Sequence, residues 1–151
     1  MKLWPCLAAL AAACSLATEP NLGGMPIHDV RFNGALAFRL DAERTGDSVR
    51  VTAEILNAGA DSTTMEFGAC SFAIRGVGTG GVWDNRLPPN GACVDVGYVL
   101  TVAPGETRSR VVYRRAVSDL LASVRPGEYD VSVYTRVSNE LRRFPAGTVR
   151  L

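Results

Sequence analysis

The chain has 151 residues, 47% of them hydrophobic and 21% charged. This is the size and composition of one globular domain with its own core, and it excludes collagen-like and disordered chains. Sixteen Lys and Arg balance fifteen Asp and Glu, and because Lys2 is the only lysine the remainder is neutral, so we expect no nucleic-acid partner.

The N-terminus has the pattern of an export signal. Residues 1–17, MKLWPCLAALAAACSLA, combine one basic residue, small residues near the end and an apolar stretch shorter than the roughly 20 residues that span a bilayer. Cleavage after Ala17 gives a soluble secreted protein. LAAAC instead resembles the lipobox of bacterial lipoproteins, in which Cys14 becomes the lipidated first residue and anchors the protein to a membrane.

Residues 18–26 predict a polar, Gly- and Pro-rich tether, and residues 27–151 a single β-domain. From Ala35 to residue 44 apolar and polar side chains alternate, and they alternate again over 48–56. Both runs are typical of strands with one wet face. The turn residues at 45–47 between them predict a hairpin.

The next run, residues 62–77, changes phase. Met65 and Phe67 occupy odd positions, whereas Cys70, Phe72 and Ile74 occupy even ones. Since a shift of one residue turns every side chain to the other face, we predict a bulge or strand break at Gly68 between the two sets.

Short segments with turn residues between them fill the rest of the chain. About seven to eight strands, one helical turn and no long helix predict an antiparallel β-sandwich of immunoglobulin-like arrangement, with a closed barrel as the alternative. Tyr129, after a Pro-Gly turn, has the place of a tyrosine corner. The further predicted strands lie around Val82 and Trp83 and over 94–102, 107–115, 126–137 and 147–151, with the helical turn at 117–123.

Cys70 and Cys93 are the only cysteines beyond residue 14. In an exported protein an even number of cysteines predicts a disulfide, which for a loop of this length stabilises by about 3 kcal/mol. A redox or metal pair is the alternative, but the segment between them contains no CxxC and no histidine.

Few residues offer catalytic chemistry. The only histidine, His28, lies beside Asp29 and three residues after Met25, and these neighbours are too few for a copper site. The sequence contains no GxSxG, HExxH, P-loop or dinucleotide motif. We expect a protein that is not an enzyme and that uses no cofactor and no metal.

Two sets of residues are candidates for binding a partner. Trp83, Asn85 and Arg86 lie between Gly-rich and Pro-rich stretches and can form a contact loop. Alternatively, Trp83 fills the core against the disulfide, as in antibody domains. Arg108, Arg110, Arg114 and Arg115 predict a positive stripe on one strand, which is either a solvated face that protects a sheet edge or a contact for an anion or anionic lipid.

Several segments in one order carry a family resemblance: VRVTAEILNAG, SFAIRG, VWDNR, APGE, VSDLL and RPGEYDVSV, over residues 49–136. Together they resemble the immunoglobulin-like domain of the intracellular proteinase inhibitor (BsuPI-like) family of bacilli. The resemblance implies an immunoglobulin-like fold and, as an activity, inhibition of serine proteinases. It places no inhibitory residue on this sequence, and the signal and cysteine pair depart from an intracellular family.

The sequence therefore predicts a non-catalytic cell-envelope protein of bacteria, exported to the periplasm or envelope. It is lipid-anchored or secreted and contacts another envelope or extracellular protein. The alternative is a proteinase inhibitor whose partner is a proteinase.

Overall fold

The computed structural model describes residues 29–32, 34–85 and 97–151, with side chains from residue 34 onward except that of Ala69. The predicted signal peptide with Cys14, the tether, His28, Arg86 and Cys93 lie outside the described residues.

The described residues form ten strands, one short α-helix and one 3-10 turn. In chain order the elements are β1 (Asp29–Phe32), β2 (Leu36–Thr45), β3 (Ser48–Asn57), β4 (Thr63–Phe67), the 3-10 turn (Ala69–Ser71), β5 (Ala73–Gly78), β6 (Gly81–Asp84), β7 (Tyr98–Val102), β8 (Thr107–Ala116), α1 (Val117–Leu121), β9 (Glu128–Val137) and β10 (Glu140–Arg150).

The strands form two facing sheets. One has the order β2-β3-β8, and the other has the order β6-β5-β9-β1-β4-β7, with β10 paired to β9. All pairs are antiparallel except β1 with β9. β3 pairs with β8 in one sheet and β5, β9 and β10 lie in the other, as strands B and E and strands C, F and G do in immunoglobulin domains. The predicted immunoglobulin-like sandwich is confirmed.

The strand number differs from the predicted seven to eight for two reasons. β1 has only four residues, which is too short for a detectable alternation. The run over 62–77 is divided into β4 and β5, on either side of the predicted break.

The predicted β2–β3 hairpin is present, with a register that runs from Leu36 opposite Asn57 to Thr45 opposite Ser48. β3 turns its apolar side chains into the sandwich, where they meet those of β9. β3 alternates cleanly because one face lies on the core and the other faces solvent. β9 is buried continuously over residues 131–135, since Tyr134 on its outer face packs with Ala73 and Leu141 in a second cluster. The buried side chains that share this core include Val49, Val51, Ile55, Tyr129, Val131 and Val133.

The predicted break occurs at Gly68. β4 ends at Phe67, and the 3-10 turn takes up the change of phase before β5 begins. Two hydrogen bonds close the turn, from Ser71 N–H to the Gly68 carbonyl at 3.0 Å and from Gly68 N–H to Ser71 Oγ at 2.9 Å. Met65 and Ile74 are therefore both buried despite their different parity.

The predicted helical turn is α1, which buries Val117 and Leu120. After it, the Tyr129 hydroxyl donates a hydrogen bond to the Arg125 carbonyl oxygen at 2.5 Å. This bond back to the backbone four residues upstream is the predicted tyrosine corner. Among the described residues, no helix has the length and apolar character needed to cross a membrane.

The last strand is longer than predicted. β10 begins at Glu140 rather than near residue 147 and pairs with β9 along its whole length, with an irregularity between Pro145 and Gly147. Ser138 and Asn139 connect the two strands with positive φ angles of 52° and 67°. That backbone is the one a tight hairpin turn requires.

Candidate functional site

Trp83 lies in the core. Its side chain is 3% exposed, and its ring stacks on that of Tyr113, with centroids 6.0 Å apart and planes 13° from parallel. The other face of the indole covers the backbone of Gly76. Burial raises the pKa of Tyr113 to about 12, so the hydroxyl in this stack is protonated at neutral pH. Of the two sequence alternatives, the structure supports the core role for Trp83, which leaves little of its surface for a partner.

Asn85 has a structural role at the end of β6. Its side-chain oxygen accepts a hydrogen bond from Ile74 N–H at 2.8 Å, and its amide donates to the Phe72 carbonyl at 3.0 Å. These two bonds tie the end of β6 to the start of β5. Arg86, the third residue of the predicted contact loop, lies outside the described residues.

Cys70 lies in the 3-10 turn with 1% of its side chain exposed. Its predicted partner Cys93 and the predicted lipidated residue Cys14 lie outside the described residues. The disulfide and the lipid anchor therefore stay predictions.

The side chains in the first half of β8 face the opposite way from the predicted alternation, whereas Tyr113 and Arg114 in the second half face as predicted. Val51 pairs with Tyr113, but Thr52 pairs with Val111, so Val112 forms a bulge. The bulge changes the phase of the strand at its middle, and Val111 is exposed on the outer side.

The predicted arginine stripe is therefore wrong. Arg110 pairs with the buried residue Ala53 and lies on the core-facing side of the sheet, as does Arg108. Arg114 pairs with Arg50 and lies on the outer side. The sequence did not indicate this, because the bulge has no glycine or other marker in this stretch.

Arg110 crosses from the edge of one sheet to the edge of the other. Its guanidinium carbon lies 4.1 Å from the ring centroid of Tyr98 in β7 and 5.4 Å from that of Phe67 in β4. The two rings are 5.9 Å apart. Such cation–π contacts contribute about 0.5–2 kcal/mol, more as the pair is desolvated. We name this cluster, Tyr98, Arg108 and Arg110, the arginine–tyrosine edge.

The arginine–tyrosine edge is partly open to solvent. Tyr98 is 41% exposed, and its neighbour Val99 is 68% exposed on the other side of β7. Arg108 Nε lies 2.7 Å from Glu106 Oε1, and Glu106 Oε2 accepts a hydrogen bond from Ala103 N–H at 2.9 Å. In residues 98–116, four arginines and one glutamate give a formal net charge of +3.

A small cavity lies between β2 and β10. Its volume is about 20 Å³, and its apolar lining includes Phe38, Leu40 and Phe144. A cavity of that volume holds about one water molecule, whereas an apolar cavity that binds benzene measures about 150 Å³. The cavity is a packing defect at the side of the sandwich rather than a ligand site.

No protein-family model matches the chain, and the search of curated proteins finds no significant match. The candidate site therefore rests on geometry. Within the described residues no group of three or more His, Cys, Asp or Glu side chains is placed to hold a metal ion.

The sequence indicates the arginines of β8 as candidate binding residues, but it does not indicate their contact with Tyr98. The sequence predicts Arg110 as part of a positive stripe and does not single out Tyr98 as a site residue. The signal in the sequence is that four arginines follow closely after a strand that begins with Tyr98. Their contact depends on β7 and β8 belonging to different sheets, which the sequence does not specify.

Proposed function

We propose that this chain is a non-catalytic interaction module of the bacterial cell envelope, lipid-anchored or secreted, which binds another envelope or extracellular protein. The observation that supports this is the arginine–tyrosine edge, where a half-buried guanidinium stacks on a partly exposed tyrosine between two sheet edges. Tyr and Arg are enriched at the energetic centres of protein interfaces. Exposed Val99 adds apolar surface beside them.

Recognition through this edge predicts that Tyr98→Ala abolishes partner capture. Immobilised domain is incubated with envelope extract, and bound proteins are identified by mass spectrometry. Truncating a tyrosine at the energetic centre of an interface costs about 2 kcal/mol or more, so the variant should retain less than about a tenth of the bound partner. Val77→Ala, an exposed position on the outer face of β5, which is four strands away from β7 in the same sheet, is the control and should keep full capture.

Two results of this capture experiment decide between functions. If wild-type domain captures nothing in stoichiometric amounts, or if both variants capture equally, the proposed module does not act through this edge. A serine proteinase as the captured protein, with its activity slowed, would support the inhibitor alternative that the family resemblance implies.

The envelope location predicts that Cys14→Ser releases the protein from membranes. In cells expressing the full chain, wild-type protein should sediment with the membrane fraction, because a lipidated residue carrying several acyl chains anchors stably. The variant should move to the soluble fraction. Membrane association that survives Cys14→Ser would refute the anchor, and the intact mass of the wild-type protein reports the mature N-terminus and whether Cys70 and Cys93 carry hydrogen.

A further inference from the structure

We propose that the arginine–tyrosine edge binds an extended acidic segment of the partner protein, with the Arg110 guanidinium as the anchor for a carboxylate. This inference rests on the proposed function and adds the chemistry of the partner.

Arg110 is held in position by its aromatic neighbours. A guanidinium stacked on a ring keeps its N–H donors, which point outward in its own plane and match the two oxygens of a carboxylate. Tyr98 and Phe67 fix that plane before any ligand arrives. Less side-chain freedom is lost on binding, and more of the interaction energy appears as affinity.

The backbone next to Arg110 can receive an extended segment. β8 is the outer strand of its sheet and pairs only with β3, and β7 is the outer strand of the other sheet and pairs only with β4 among the described residues. An extended peptide can add to such an edge through main-chain hydrogen bonds. The bulge at Val112 divides β8 into two regular halves, and Arg108 and Arg110 lie together in the first of them.

The charge of this region selects an acidic partner. Arg108 and Arg110 lie on the same side of β8 and Glu106 forms an ion pair with Arg108, so the edge itself keeps one positive charge. Within the described residues, no hydrogen bond or ion pair connects Arg110 to a carboxylate. Exposed Val99 and Val111 flank the edge and suit the alternate side chains of a peptide, which a free phosphate or a lipid headgroup does not have.

The test uses a fluorescein-labelled ten-residue peptide of alternating Glu and Val, and the same peptide with Gln in place of Glu. Fluorescence anisotropy with the full mature chain should show the Glu peptide binding at least about tenfold more tightly than the Gln peptide, since a hydrogen bond to a charged group contributes about 1.5–3 kcal/mol. Arg110→Gln should weaken the Glu peptide about tenfold. Arg114→Gln, on the outer side of the same strand, should change it less than about twofold.

Three results would overturn the inference: no preference for the Glu peptide, equal losses in Arg110→Gln and Arg114→Gln, or complete displacement of the peptide by inorganic phosphate. Circular dichroism of Arg110→Gln checks that the fold is retained, and Arg110→Lys, which keeps the charge but not the planar fork, should recover only part of the affinity if the fold is intact. Repeating the envelope capture with Arg110→Gln separates this inference from the proposed function. A partner still captured in full leaves the function standing and removes the acidic segment.

Discussion

Gly76→Ala is expected to destabilise the domain by about 3 kcal/mol or more, because the added methyl group has no space. A Cβ at this position would meet the Cε2, Nε1 and Cζ2 atoms of Trp83 at under 3.0 Å. The indole cannot move away, since its other face stacks on Tyr113 and its side chain is almost fully buried. The only relief is a shift of β5, which would disturb its hydrogen bonds to both β6 and β9.

Urea unfolding followed by circular dichroism measures this loss, and the melting temperature should fall by about 10 °C. Gly97→Ala is the matched control, because a Cβ there meets nothing within 4 Å and the backbone has no positive φ. The control should stay within about 0.5 kcal/mol of wild type. Equal unfolding free energies for the two variants would mean that Trp83 does not pack on Gly76.

The same contact can be isolated with a double variant. In a Trp83→Leu background the smaller side chain leaves room for the methyl group, so Gly76→Ala should cost at least about 1 kcal/mol less than in wild type. Additive effects would contradict the geometry even if both single variants are unstable. The result would also bear on the contact-loop alternative, because a tryptophan that stabilises the core is not available to a partner.

The parts of the fold that could be predicted are those where the two faces of a strand meet different environments. β3 has the core on one side and solvent on the other, so Val49 and Val51 alternate with polar residues, and the β2–β3 hairpin could be predicted. The break at Gly68 could be predicted for the same reason, since the apolar residues change from odd to even positions there. Tyr129 was placed by the Pro-Gly turn before it.

The parts of the fold that could not be predicted lie where apolar residues do not mark the core-facing side of a strand. On β8 the core-facing side carries Arg110, whose charged group reaches the sheet edge and whose stem packs on aromatic rings, so the apolar pattern pointed to the wrong face. β10 carries charged residues along its first half, and only the Asn139 turn signalled the hairpin. The parallel contact of β1 with β9 involves residue pairs more than 100 positions apart, and no local pattern reports it.

Asn57, the last residue of β3, is a buried polar residue that no sequence pattern singles out. Its side chain has no exposed surface. The amide nitrogen donates to the Asp61 carbonyl at 2.7 Å and to the Val102 carbonyl at 2.9 Å, and the amide oxygen accepts from Gly59 N–H at 2.9 Å. One side chain thus fastens the end of β3 to the loop that follows and to the end of β7, beside the turn that leads to the arginine–tyrosine edge.

Asn57→Asp is expected to cost about 4 kcal/mol at neutral pH, because it leaves a buried charge uncompensated. The variant replaces a group that donates two hydrogen bonds with an oxygen that faces two carbonyl oxygens, while the shape hardly changes. Protonation of the new carboxyl restores one donor, so the stability difference from wild type should shrink as the pH falls from 7 towards 4. Urea unfolding at several pH values measures it.

Asn139→Asp makes the same chemical change at the exposed β9–β10 turn, where Asp also tolerates a positive φ. Its unfolding free energy should stay within about 0.5 kcal/mol of wild type at every pH. If the two variants were equally stable, the Asn57 amide could not be holding Asp61 and Val102 together. If only Asn57→Asp is unstable and, while circular dichroism shows it folded, it also binds the Glu–Val peptide more weakly than wild type at pH 7, then the fastening of β3 to β7 helps to keep Tyr98 and Arg110 in register.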